Sequence, residues 1–197
     1  MRIGVLASQG GFGAHVRMLE SLDAESVEVR TPDQLDGLDG LVIPGGESTT
    51  ITRAIERDGL GPAIRAHVAA GRPVLGTCAG MIICDSDHLG LIDARTRRNA
   101  FGRQLQSFEA EIDFEGIGTE PINAVFIRSP WVEEHGPAVE VLARWEGHPV
   151  ALRSGDVLVC AFHPELTEDS RVHALLMAMA TSARRSVAPA HGNWAER

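Results

Sequence analysis

The chain has 197 residues, 44% of them apolar and 23% charged, which suits one globular domain hiding roughly 70% of its unfolded surface. Its formal charge of −9 and isoelectric point of about 5.3 exclude the clustered basic surface that nucleic acid or an anionic membrane requires. With 3 cysteines, no CxxC pair and no apolar run of about 18 residues, neither a disulfide framework, a zinc knuckle nor a membrane span is expected.

Arg2–Ala7 is a short apolar run ending in Ser8-Gln9-Gly10-Gly11, and reads as a first strand and a glycine turn rather than a signal peptide. Val16, Leu19 and Leu22, with Met18 nearby, predict one face of a helix. Ser26–Arg30 alternates as a strand, and Gly40–Ile43 is a further apolar run broken by Pro44-Gly45-Gly46. Thr49–Arg57 and Pro62–Ala70 read as helices, the second stopped by Gly71. Pro73–Gly76 is a fourth strand, followed by Cys78 and a short helix, Met81–Cys84. This alternation predicts an α/β fold: a doubly wound, mostly parallel sheet with helices on both faces.

The second half changes character. Ser107–Phe114, Ile122–Ile127, Val139–Ala143, Val150–Arg153 and Val157–Phe162 read as strands, predicting an antiparallel extension at one edge of the sheet. Asp169–Ala183 returns to helix, with Val172, Leu175, Leu176 and Met179 on one side. Residues 1–185 are read as one domain and residues 186–197 as a loose tail. Aromatic residues are only 5% with no Tyr, so aliphatic side chains are expected to build the core.

Gly76-Thr77-Cys78-Ala79-Gly80, between a strand and a helix, has the spacing of a nucleophile elbow with Cys in the nucleophile's place. A thiol at a helix start faces the positive end of the dipole and free N–H groups, which favour thiolate. The Ala79 N–H is placed to hold an oxyanion. A buried structural cysteine would fit a lone GxCxG equally well. His163-Pro164-Glu165 follows the strand Val157–Phe162; in extended chain His163 and Glu165 project together, as base and orienting acid. Pro164 is expected to discourage helix there, and alone the tripeptide also fits a surface turn.

Pro44-Gly45-Gly46-Glu47-Ser48-Thr49-Thr50 exposes backbone N–H groups after a strand. It reads as an oxyanion donor and substrate clamp, as a phosphate loop lacking the Gly-Lys-Ser/Thr signature, or as a plain turn capped by Ser48 or Thr49. Arg98 and Arg128 are candidates to pair with a substrate carboxylate, and Glu47 with an ammonium. His15, His67 and His173 read as helix-surface residues, Cys160 as core, and no metal-ligand spacing appears.

Seven runs together carry a family likeness: Gln9-Gly10, Leu41–Thr50, Gly76–Gly80, Arg98–Gln104, Ser107–Ala110, Val125–Ser129 and Phe162–Asp169. On them the chain resembles the glutaminase subunits of pyridoxal 5′-phosphate synthase, which are class I, triad-type glutamine amidotransferases with a flavodoxin-like fold. The resemblance implies hydrolysis of L-glutamine through a Cys78 glutamyl-thioester, with His163 as acid/base and Glu165 orienting it. It places Gly46, Glu47, Ser48, Arg98, Ile127 and Arg128 on glutamine, and Gly45, Ala79 and Gln9 at the oxyanion turn and docking face. It implies no cofactor and no metal, a cytoplasmic location, and a hetero-oligomeric complex with a synthase barrel that takes the ammonia. An amidotransferase serving another acceptor enzyme, or a non-catalytic regulatory relative, would share part of this pattern. The likeness is weakest at residues 81–97, which are fewer than in the family.

Overall fold

A computed structural model of the chain describes residues 1–9, 11–98 and 107–187, with side chains through residue 185. Gly10, Asn99–Gln104 and residues 188–197 of the expected tail lie outside the described residues. The first half comprises β1 (Arg2–Leu6), α1 (Phe12–Ser21), β2 (Glu25–Val29), β3 (Gly40–Ile43), α2 (Ser48–Arg57), α3 (Leu60–Ala69), β4 (Val74–Thr77) and α4 (Ala79–Cys84). The second comprises β5 (Ala94–Arg97), β6 (Ser107–Ile112), β7 (Ile122–Ile127), β8 (Trp131–His135), β9 (Glu140–Trp145), β10 (His148–Ser154), β11 (Val157–Cys160) and α5 (Arg171–Val187). No described helix is long and apolar enough to cross a membrane.

A seven-stranded sheet runs β2-β1-β3-β4-β11-β10-β9. Its first five strands are parallel, and β3, β4 and β11 are buried at every residue, as continuous apolar runs in a covered sheet should be. The chain winds outward from β1 to β2, then back across to β3. Right-handed crossovers therefore put α1 on one face and α2 and α3 on the other. The last helix, α5, returns to the face of α1, where His15 meets His173. Reversal of winding leaves a crevice beyond the carboxyl ends of the strands. Gln9, Gly45, Cys78 and His163 follow β1, β3, β4 and β11 and so converge there.

The antiparallel extension is β10 and β9, joined by a two-residue hairpin at Glu146-Gly147 with φ of 47° and 82°. Two of the strands expected in it stand elsewhere: among the described residues β6 and β7 pair with each other and not with the main sheet, and lay one alternating face, including Ala110 and Phe126, on the core. A further ribbon, β5 with β8, was not anticipated, because Ala94-Arg95-Thr96-Arg97 carries no apolar alternation. The sheet core is aliphatic as expected, but Phe114, Phe126 and Phe162 form an edge-to-face cluster next to the crevice, with centroids 5.7 and 6.4 Å apart. Its last helix starts at Arg171, where Asp169 accepts the Arg171 N–H at 3.0 Å, and runs two residues into the segment read as tail.

Candidate active site

Cys78 lies between β4 and α4 with φ 49° and ψ −108°, a backbone conformation that costs a non-glycine residue about 1–3 kcal/mol. Its N–H donates to the Cys160 carbonyl at 2.8 Å, which pins the bend to β11. The bend is tight because helix and strand touch. A Cβ at Gly80 would run into the carbonyl oxygen of Ile43, and one at Gly76 would lie 2.6 Å from the Gly80 carbonyl oxygen. Both obstacles are backbone and cannot swing aside. Gly80→Ala is therefore expected to destabilise the protein by about 3 kcal/mol or more, read from the urea midpoint. An unchanged midpoint would contradict this packing.

His163 is placed by the Phe162 cluster and by its own N–H, which donates to the Val125 carbonyl at 2.9 Å. Its Nδ1 stands 2.7 Å from Glu165 Oε1. The extended His-Pro-Glu expected from sequence is corrected here: Pro164–Leu166 is a 3-10 turn with Pro164 at its first position, where a missing N–H costs nothing. The turn folds Glu165 back against the imidazole that extended chain was expected to place beside it. Burial pulls His163 down, but its bonds with Cys78 and Glu165 prevail and raise it from 6.5 to about 10. Burial pushes Glu165 up, yet His15 and His163 against it hold it far below the usual carboxylate range. The other two thiols, Cys84 and Cys160, are wholly buried, and burial pushes both up, away from nucleophilic thiolate.

A cavity of about 240 Å³ opens over the sulfur. It is lined by Cys78, Ala79 and His163 together with Gly46, Glu47, Ser48, Arg98, Ile127 and Arg128, and by Ile82 and Pro130, which the sequence did not flag. The Ile127 carbonyl faces Cys78 Sγ at 3.9 Å, and Arg128 holds φ 47°. Ser48 and Thr49 do not cap α2; Glu47 does, accepting the N–H groups of Thr49 and Thr50 at 3.1 and 2.7 Å. The Thr50 hydroxyl and these two N–H groups hold its carboxyl down at about 2. Arg98 donates to the same carboxylate at 2.9 Å, so the two charges stand as a pair at the cavity rim.

Gly45 and Gln9 lie on the other side of His163, in a second cavity of about 560 Å³ that shares Gly46 and His163 with the first. The Gln9 side chain packs on Gly46, and its Oε1 accepts the Glu47 N–H at 2.7 Å.

Three histidines read as surface residues are buried instead: His15 and His173 are 0% exposed and His67 is 4% exposed. A signal was present. His15 shares its helical face with Leu19 and Leu22, and His173 shares its own with Leu176 and Ala180, so apolar spacing put both toward the sheet.

The sequence pattern of the SNO glutamine amidotransferase family matches residues 5–182. The pyridoxal 5′-phosphate synthase subunit PdxT of Shouchella clausii is 46% identical over 97% of this chain and 100% of its own length. That of Frankia alni is 52% identical over 89% of this chain and 93% of its own. A crystal structure of a glutamine amidotransferase, 42% identical, superposes with a TM-score of 0.87 over 91% of this chain and 98% of that one. The elbow at Cys78, the crevice at the carboxyl ends of the strands and these matches across nearly the whole chain agree: this protein belongs to the SNO glutamine amidotransferase family.

Proposed function

We propose that the chain hydrolyses L-glutamine to L-glutamate and ammonia, and that the ammonia serves the synthase subunit of pyridoxal 5′-phosphate synthase. One observation carries the chemistry: a strained cysteine opens on a cavity beside an imidazole whose far nitrogen is held at 2.7 Å by a carboxylate. Cys78 Sγ attacks the side-chain amide carbon, and the carbonyl electrons move to oxygen, which faces the Ala79 N–H at the start of α4. His163 gives its proton to the amide nitrogen as the C–N bond breaks, releasing ammonia and leaving a glutamyl-thioester. Water then attacks the thioester carbonyl while His163 takes its proton, and the thiolate leaves. The Arg128 guanidinium and the Glu47–Arg98 pair at the rim are suited to the carboxylate and ammonium of free glutamine.

The synthase partner, in a hetero-oligomeric complex, rests on relatives of that name covering nearly the whole chain. A face fit for it lies around Gln9 and Leu166, the large apolar side chain that stands exposed, at 51%, among the described residues. The three cysteines are unpaired, which supports a cytoplasmic site of action. Gln9 ties down the Glu47 N–H next to the Gly45-Gly46 turn, so the lone chain is expected to turn over slowly and to speed up when the partner engages that face. Glutamate release with and without the synthase subunit tests both halves. No release in either case refutes the glutaminase; full release by the lone chain, unchanged by the partner, refutes activation.

A further inference from the structure

Behind the Cys78–His163–Glu165 line the structure holds two more imidazoles that the reaction scheme above does not use. His15, from α1, places Nε2 at 3.3 Å from Glu165 Oε2 and 3.2 Å from the Thr77 hydroxyl. Its Nδ1 lies 2.9 Å from Nε2 of His173, which comes from α5, 158 residues away in sequence. Both rings are 0% exposed. Glu165 Oε2 has no well-aligned hydrogen bond among the described residues, so His15 is the group that meets its charge.

The protons of this array can be placed. Glu165 is ionised and can only accept. A bare nitrogen lone pair facing that carboxylate would repel it, so His15 Nε2 carries a hydrogen. One proton lies between His15 Nδ1 and His173 Nε2. Burial, then His15, drive His173 down to about 3, so it is neutral with a single N–H. Its Nδ1 has no partner among the described residues. A buried orphan N–H is rarer than an unfilled acceptor, so the hydrogen sits on Nε2 and donates to His15. The order is then His173 to His15 to Glu165, with His163 donating to the other carboxylate oxygen.

A core position gains little from an imidazole over leucine unless its polarity is used. Resting on the glutaminase reading above, we propose that His15 is a positioning residue for the reaction: oriented by His173, it holds the outer oxygen of Glu165 and so keeps the inner oxygen on His163. Of the groups packed around this array, the Thr77 hydroxyl at the end of β4 meets His15, Cys78 meets His163, and the buried Cys160 thiol of β11 feels the Glu165 charge.

The test uses the full chain with the synthase subunit. His15→Leu is expected to lower kcat about tenfold to a hundredfold with KM little changed. It should also move the alkaline limb of the kcat/KM profile, where His163 loses its proton, down by about one pH unit, because Glu165 is held less firmly against the imidazole. His15→Gln, whose amide N–H can take the place of Nε2–H, should recover most of both. His173→Leu should shift the limb in the same direction by less, and decides the matter if His15→Leu does not fold. The low-field Nδ1 proton of His163, read by NMR in the resting protein, should weaken in both leucine variants and persist in His15→Gln. That signal needs no turnover, so an inactive wild type would refute the glutaminase while leaving this inference tested. Folded leucine variants with the wild-type alkaline limb and Nδ1 signal, or a glutamine variant no better than the leucine one, would overturn it.

Discussion

Replacing Cys78 with alanine is expected to abolish glutamate release, on the order of 10⁴-fold or more, while glutamine still binds. No other thiol can substitute. Cys84 and Cys160 are sealed in the core with their thiols pushed away from ionisation, whereas Cys78 opens on the cavity. Alanine should also ease the bend slightly without freeing it, since φ 49° remains unfavourable for any side chain. The variant should therefore fold, bind glutamine by calorimetry, and lose both turnover and labelling by a glutamine-like alkylating agent. Release at the wild-type rate would mean that the nucleophile is another group and that the elbow is only structural.

Glu165→Gln is the second large effect expected, with kcat falling on the order of 10³-fold. The amide keeps the shape of the acid but removes the charge that stabilises the His163 imidazolium. It also presents N–H groups to a nitrogen, His15 Nε2, that is itself a donor. To accommodate it, the buried imidazoles must exchange tautomers or the amide must turn its N–H toward His163.

The pH dependence follows from the directions of the two shifts. The raised imidazole of His163 adds stability that is complete below about pH 6.5 and gone once the pH passes about 10. The lowered carboxyl of Glu165 adds stability that is present above its ordinary value of 4.5 and is lost as the pH falls through its folded value. Both contributions are whole only between about pH 4.5 and 6.5, taking the ordinary values of the two groups as the limits. The fall in Tm caused by Glu165→Gln should be largest in that window and should shrink toward pH 10, measured by calorimetry across the range. A loss of Tm independent of pH would show that the pair is not charged in the folded protein.

Much of the site was readable because its parts are local. An elbow needs small residues on either side of the nucleophile, and Gly76 and Gly80 are written next to Cys78. A strand-to-helix turn needs exposed N–H groups, and Gly45-Gly46 supplies them after β3. The readings that failed depended on competition between neighbours. Glu47 displaced Ser48 and Thr49 as the cap because its longer side chain reaches two N–H groups and Arg98 together. The His-Pro-Glu segment curled into a 3-10 turn because proline is as well suited to the first position of a helix as to extended chain. The β6–β7 ribbon left the main sheet although its alternation is that of an ordinary edge strand, since alternation says which face is buried and not against what.

The amino-acid order alone determined the parallel α/β sheet and the bend at Cys78, because dihedral limits and apolar periodicity act over a few residues; it named His163 and Glu165 as partners but not the 3-10 turn that joins them. Only the tertiary structure decided that two imidazoles from the first and last helices stand behind that carboxylate. Which buried polar groups meet is set by how distant elements pack across one face of the sheet, and no short stretch of sequence carries that information.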